Sequence, residues 1–115
     1  MRHTVRTSFD RNEGRRDRRH PLPPLAVKLE GGLYNTLNWS LGGFLLGGYK
    51  GLHVPGDIVE GSFRIDVHSP EFAFKAEVVR ADIDTETMAV HFEELALGAI
   101  EALDRAIARR IIRRD

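Results

Sequence analysis

From Leu25 onward, apolar and polar positions alternate in short runs separated by glycine-, proline- or aspartate-containing breaks. Alternation with period two is the mark of strands with one face buried. Leu25–Glu30 predicts a first strand, Gly31-Gly32 a two-residue hairpin turn, and Leu33–Leu37 a returning second strand. Asn38-Trp39-Ser40-Leu41-Gly42-Gly43 reads as a tight polar corner, followed by a third strand at Phe44-Leu45-Leu46 that ends at Gly47-Gly48. Residues 51–56, containing Pro55, read as a loop, and Asp57–Asp66 as a fourth strand in which Gly61 predicts a bulge. Phe72–Ile83 alternates as a fifth strand, Asp84-Thr85-Glu86 turns the chain, and Met88–Phe92 is a sixth. Six short strands at this spacing predict an antiparallel barrel or sandwich.

The tail changes period. Between Leu95 and Arg114, Ala96, Ala99, Ile100, Leu103, Ala106, Ile107 and Ile111 recur at steps of three and four, predicting an amphipathic helix over about 94–113. Glu93 and Glu94 precede it and Arg109, Arg110, Arg113 and Arg114 close it, as a helix dipole favours. Its apolar stripe is expected to pack on the strands. Pairing with a second copy, as a weak dimer of an otherwise monomeric protein, is the lesser alternative.

Residues 1–24 follow neither period and end in His20-Pro21-Leu22-Pro23-Pro24. They predict a flexible arm (1–24) ahead of a single domain (25–115), with the prolines stiffening the junction so that the arginines upstream are aimed at one place. A length of 115 residues, 42% apolar and 30% charged, suits one soluble domain with its own core. No apolar run is long enough to span a bilayer and no secretory signal opens the chain, so the expected compartment is the cytoplasm. The absence of cysteine excludes disulfides, thiolate metal sites and a cysteine nucleophile.

The formal charge is zero, but it is segmented. Residues 1–20 carry seven arginines, residues 54–104 carry twelve carboxylates against Arg64, Lys75 and Arg80, and the last residues are again arginine-rich. A basic arm on an acidic body attracts a phosphate-bearing ligand locally, and argues against a protein that coats long nucleic acid. Arg15-Arg16-Asp17-Arg18-Arg19 is the densest cationic run, and guanidinium groups grip phosphate bidentately and stack on purines. A solvated basic tail explains the same composition. The five histidines lack metal-ligand spacing, the Gly42–Gly51 run lacks the Gly-Lys-Ser/Thr ending of a phosphate loop, and Ser40 has no evident histidine base. Trp39 is read either as a base-stacking or as a barrel-sealing aromatic.

Arg15-x-x-x-Arg19 followed by a hairpin and then Asn38-x-Ser40-x-x-Gly43 resembles the paired motifs of PilZ domains, bacterial receptors for cyclic di-GMP. Those motifs run Arg-x-x-x-Arg and (Asp or Asn)-x-Ser-x-x-Gly. The Leu41–Leu46 segment, Val78-Val79-Arg80 and Val90-His91-Phe92-Glu93 look like the family too, so the resemblance covers the chain from about Gly14. It implies a mainly β fold, a six-stranded antiparallel barrel with a C-terminal helix and an arm that folds over the ligand. It implies that Arg15 and Arg19, helped by Arg16, engage phosphates and guanines, that Asn38 and Ser40 meet polar edges of a guanine, and that Gly43 permits close backbone approach. The implied activity is binding without catalysis, with no metal or cofactor beyond the ligand, and signalling to a partner in motility, polysaccharide synthesis or regulation. Asn38 offers guanine one acceptor where the aspartate of many members offers two, which implies modest affinity. A second alignment is open, because Arg18-Arg19-His20-Pro21 resembles the family's Arg-Arg-His-Pro run and would put Leu22 at the second arginine position; the Arg15/Arg19 register keeps the junction with the first strand ungapped. The alternatives are a PilZ-like adaptor that binds no nucleotide, and a small barrel that binds single-stranded RNA through its arm.

Overall fold

The computed structural model describes residues 4–6 and 18–112 of the chain. The elements are β1 (Thr4–Arg6), β2 (Ala26–Leu29), β3 (Gly32–Ser40), β4 (Gly43–Leu46), β5 (Ile58–Arg64), β6 (Phe72–Asp82), β7 (Thr87–Ala96) and α1 (Leu97–Ile112). All pairings are antiparallel, and β2 to β7 close on themselves in the order β3-β2-β5-β6-β7-β4. This resolves the choice between sandwich and barrel in favour of a closed six-stranded barrel. Closure leaves few backbone edges unpaired, which suits a small sheet with no disulfide to support it.

The predicted alternation supplies the interior. Val27 and Leu29 of β2, Phe44 and Leu46 of β4, and Phe74, Ala76 and Val78 of β6 all face inward, fully or almost fully buried. At the centre Phe44 meets Phe74 and Phe92 edge-on, with ring centroids 5.4 and 5.5 Å apart, the arrangement aromatic quadrupoles favour. Ala99, Ala102, Leu103 and Ala106 of α1 join the same core, so the helix packs its stripe on its own barrel.

Several boundaries differ from the sequence expectation. The hairpin turn is Glu30-Gly31, with φ of 50° and 81°, not Gly31-Gly32. Gly32 instead opens β3 beneath the Tyr34 side chain, whose hydroxyl would lie 2.7 Å from a Cβ at that position. β3 runs on through Asn38, Trp39 and Ser40, so the polar corner is a strand end plus a two-residue turn at Leu41-Gly42. Gly61 makes no bulge: its pairing with Leu29 and Phe74 is in register, and its missing Cβ leaves room for the Lys28 carbonyl.

The bulges lie elsewhere. Leu37 is the extra residue in β3, Val79 in β6 and Glu93 in β7. The helix begins at Leu97 because Glu94–Ala96 belong to β7, paired with β6 on one edge and with β1 on the other. Glu93 and Glu94 are therefore strand residues, and the first helical turn has no acidic residue to meet the dipole. β1 was not anticipated from a segment with no periodicity; it occupies the edge of β7 beyond the point where β4 stops.

Candidate ligand-binding site

The site is built where the incoming chain meets β3. β2 covers one edge of β3 only as far as Asn35, which leaves Thr36 to Ser40 needing partners on that side. The residues preceding β2 supply them. Thr36 N–H donates to the Leu25 carbonyl (3.0 Å) and the Thr36 hydroxyl accepts from Leu25 N–H (2.8 Å). His20 and Trp39 exchange both backbone hydrogen bonds, at 2.7 and 2.9 Å, and the Trp39 indole N–H donates to the Pro23 carbonyl at 2.7 Å. The His20 and Trp39 rings lie 5.3 Å apart. The proline-rich junction is thus fixed to β3 rather than merely stiff. Trp39 is completely buried, which gives it the barrel-sealing role.

This track brings the arm's arginines to the motif on β3. Arg19 is exposed, and its Nη1 donates to Asn38 Oδ1 at 3.3 Å. Arg18 is exposed beside it. Arg15 and Arg16 lie outside the described residues. Asn38 is half-buried and faces outward because the Leu37 bulge turns two successive side chains, Leu37 and Asn38, to the outside before Trp39 returns to the core.

Ser40 and Gly43 are placed differently from Asn38. Ser40 is fully buried, and its Oγ accepts the Gly42 N–H at 3.1 Å, closing the turn between β3 and β4. The Gly42 carbonyl in turn accepts the Phe92 N–H at 2.8 Å, tying the turn to β7. Gly43 pairs with Ser40 on one side and His91 on the other, and a Cβ there would fall deep inside contact distance of the Val90 carbonyl oxygen. The close backbone approach that Gly43 permits is that of β7.

Arg19 presents a guanidinium fork to solvent, and Asn38 an amide with one acceptor already engaged and two donor hydrogens. Such a pair can hold an anion or the polar edge of a purine. His20 and Pro23 are the residues that sequence reasoning missed; only their position between the two motifs hinted at a bracing role. A second polar cluster lies on another part of the barrel: the Tyr49 hydroxyl and His53 Nδ1 share a hydrogen bond, and His53 Nε2 is 3.3 Å from Glu30 Oε1. Among the described residues no group of three or more His, Cys, Asp or Glu side chains could hold a metal ion, and no helix is long and apolar enough to cross a membrane.

Among curated proteins none matches the chain. A solved structure, that of the Bacillus subtilis inhibitor of motility MotI/DgrA, is similar over 84% of this chain with a TM-score of 0.65 and 23% identity. The chain spans about half of that structure, 51% of its length, so the likeness is one of fold. The PilZ domain model matches residues 10–109, taking in both motifs, the whole closed barrel and most of the helix, and the chain belongs to the PilZ domain family.

Proposed function

We propose that this chain is a receptor for cyclic di-GMP, the ligand of the PilZ family, bound between the Arg15–Arg19 segment and the outer face of β3. The reading rests on one contact above all, Arg19 Nη1 to Asn38 Oδ1, in which the second arginine of one motif meets the first residue of the other. Arg15, Arg16 and Arg19 take phosphate oxygens and the O6/N7 edge of guanine, where a guanidinium fork finds paired acceptors. Asn38 reads the polar edge of a guanine. Ser40 and Gly43 act on the ligand by shaping the hairpin that presents Asn38, given their burial and backbone contacts. Ligand exchanges the Arg19–Asn38 contact for contacts of its own, and the rearranged arm is read by a partner protein of a bacterial cytoplasm, where a soluble dinucleotide messenger is encountered.

Calorimetric titration of the purified chain with cyclic di-GMP tests this. Saturable binding at tens of micromolar or tighter, weakened by Arg15→Ala and by Arg19→Ala, is expected; no binding by the wild-type chain defeats the reading. The adaptor alternative draws on Ser40, whose hydroxyl is already engaged within the fold. It predicts partner capture that neither the dinucleotide nor Arg19→Ala changes.

A further inference from the structure

The strands of the barrel alternate in direction, so its connections sort to two ends. One end carries the β3–β4 turn, the β5–β6 loop and the start of α1. The other carries the Glu30-Gly31 turn, the long β4–β5 connection (47–57) and the β6–β7 turn (83–86). Of the five most exposed large apolar residues among those described, four belong to this second end: Leu52, Ile83, Leu33 and Val54, at 89, 80, 74 and 57%. Leu33 stands one pair in from its turn, opposite Lys28. Single exposed apolar residues are ordinary on a protein surface, but four gathered at one end are not.

The connection that carries two of them is braced across that end. Tyr49 N–H donates to the Glu86 carbonyl at 2.9 Å and Lys50 Nζ lies 3.8 Å from Glu86 Oε2, which ties its start to the β6–β7 turn. His53 ties its middle to the β2–β3 turn, through the Tyr49 hydroxyl on one side and Glu30 on the other. Val54 N–H donates to Asp57 Oδ2 at 3.0 Å and Gly56 N–H to the Val78 carbonyl at 2.8 Å, which ties its last turn to β6. His53 is half-buried by these contacts while Leu52 and Val54 on either side of it are held out. That reverses the usual allocation of polar and apolar residues, and the bracing keeps in water two side chains that a free loop would fold under.

The charges around these side chains have one sign. Glu30, Asp82 and Asp84 are exposed and Asp57 and Glu86 partly so, all on the same three connections or the strand ends beside them, where Lys50 is the one lysine or arginine. An acidic rim repels an anionic lipid surface and attracts a basic segment. The barrel is closed, so an incoming strand finds no ladder to extend here, and recognition falls to side chains.

We infer that this end of the barrel is a docking surface for a basic amphipathic helix of a partner protein, whose apolar face packs on Leu33, Leu52, Val54 and Ile83 while its lysines and arginines meet the acidic rim. The surface is separate from the Arg19–Asn38 corner, because Asn38 lies toward the opposite end of β3. It stands whether or not the dinucleotide binds.

The test titrates a synthetic leucine–lysine peptide, patterned as an amphipathic helix, into the isotope-labelled full chain and follows the backbone amides. Saturable binding is expected, with shifts centred on Leu33 and on residues 50–54 and 83–86. Leu52→Ser combined with Ile83→Ser is expected to raise the Kd about tenfold or more without moving the thermal midpoint, since both side chains are exposed. Val67→Ser, which removes a similarly exposed apolar residue from the β5–β6 loop at the other end, should leave the Kd unchanged. A scrambled peptide of the same composition and a glutamate-for-lysine version should both bind more weakly. The inference is overturned if the wild-type chain does not bind the peptide, if the scrambled peptide binds as well, if the shifts fall at the other end, or if Val67→Ser raises the Kd as much as the double variant does. Sedimentation of the chain alone and flotation with anionic vesicles decide the other occupants. Self-association or lipid binding that the double variant loses would assign the surface to a second copy or to a membrane, and overturn the inference as well.

Discussion

Arg19 Nη1 lies 3.3 Å from Asn38 Oδ1, so the arm is joined to β3 by the two side chains expected to meet the ligand. Binding therefore replaces an internal contact. Asn38→Asp changes both sides of that exchange: its carboxylate strengthens the contact with Arg19 that binding must break, by little because the pair is exposed, and it gives guanine two charge-assisted acceptors where the amide gives one. We expect Asn38→Asp to lower the Kd for cyclic di-GMP about tenfold, measured by calorimetry. An unchanged or weaker affinity would remove Asn38 from the guanine contact.

Gly43 is a position where the fold itself demands glycine, because the Val90 carbonyl occupies the place of a Cβ. Gly43→Ala must push β4 away from β7 or strain the hairpin. A loss of about 1–3 kcal/mol in a urea unfolding curve is expected, in the absence of any ligand.

Thr36 is one of two buried polar side chains among the described residues, and its hydroxyl accepts the Leu25 N–H at 2.8 Å where the chain enters β2. Thr36→Val keeps the shape and leaves that N–H unsatisfied. The expected cost is about 1–3 kcal/mol by chemical denaturation. Since Leu25 anchors the proline-rich junction, amide exchange at His20 and Trp39 is expected to quicken in the same variant.

Burial, followed by the nearby Glu30, Tyr34 and Asp57 groups, pushes the Tyr49 phenol above its ordinary value. The folded state holds this proton more tightly than the unfolded state does. Its contribution is fully present below the unfolded phenol's pKa of about 10 and is lost as pH rises through the folded value. Thermal midpoints should therefore fall above pH ~10 in the wild type, and less steeply in Tyr49→Phe.

The barrel was legible because its interior obeys a simple rule. Val27, Leu29, Phe74 and Ala76 alternate with polar or small neighbours, and each is buried. The nearness of the two motifs was legible from their spacing, and Arg19 does meet Asn38. The places where reading failed share one cause: tertiary pairing overrode local pattern. Leu95 and Ala96 fit a helix equally well by period, and became strand because Phe74 and Thr4–Val5 pair with them. The turn between β3 and β4 that the Ser40 hydroxyl closes depends on how that hairpin packs, which no local pattern announces. Leu37 and Val79 fit an unbroken alternation as well as a broken one, so no local signal marks either as an inserted residue; only the partner strand's count does.

Those two insertions separate what the inside of the barrel requires from what its outside displays. Along an unbroken strand, parity ties the two faces together, and the residue two places beyond an inward one is also inward. At Leu37 and Val79 the parity flips, so Trp39 and Ala81 stay in phase with the core while Asn38 and Arg80 are placed outside. Deleting either inserted residue would restore an unbroken ladder with Asn38 and Arg80 still outside, whereas deleting a regularly paired residue would drive a polar side chain inward. Positions 38 and 80 can thus change their chemistry without rewriting the core.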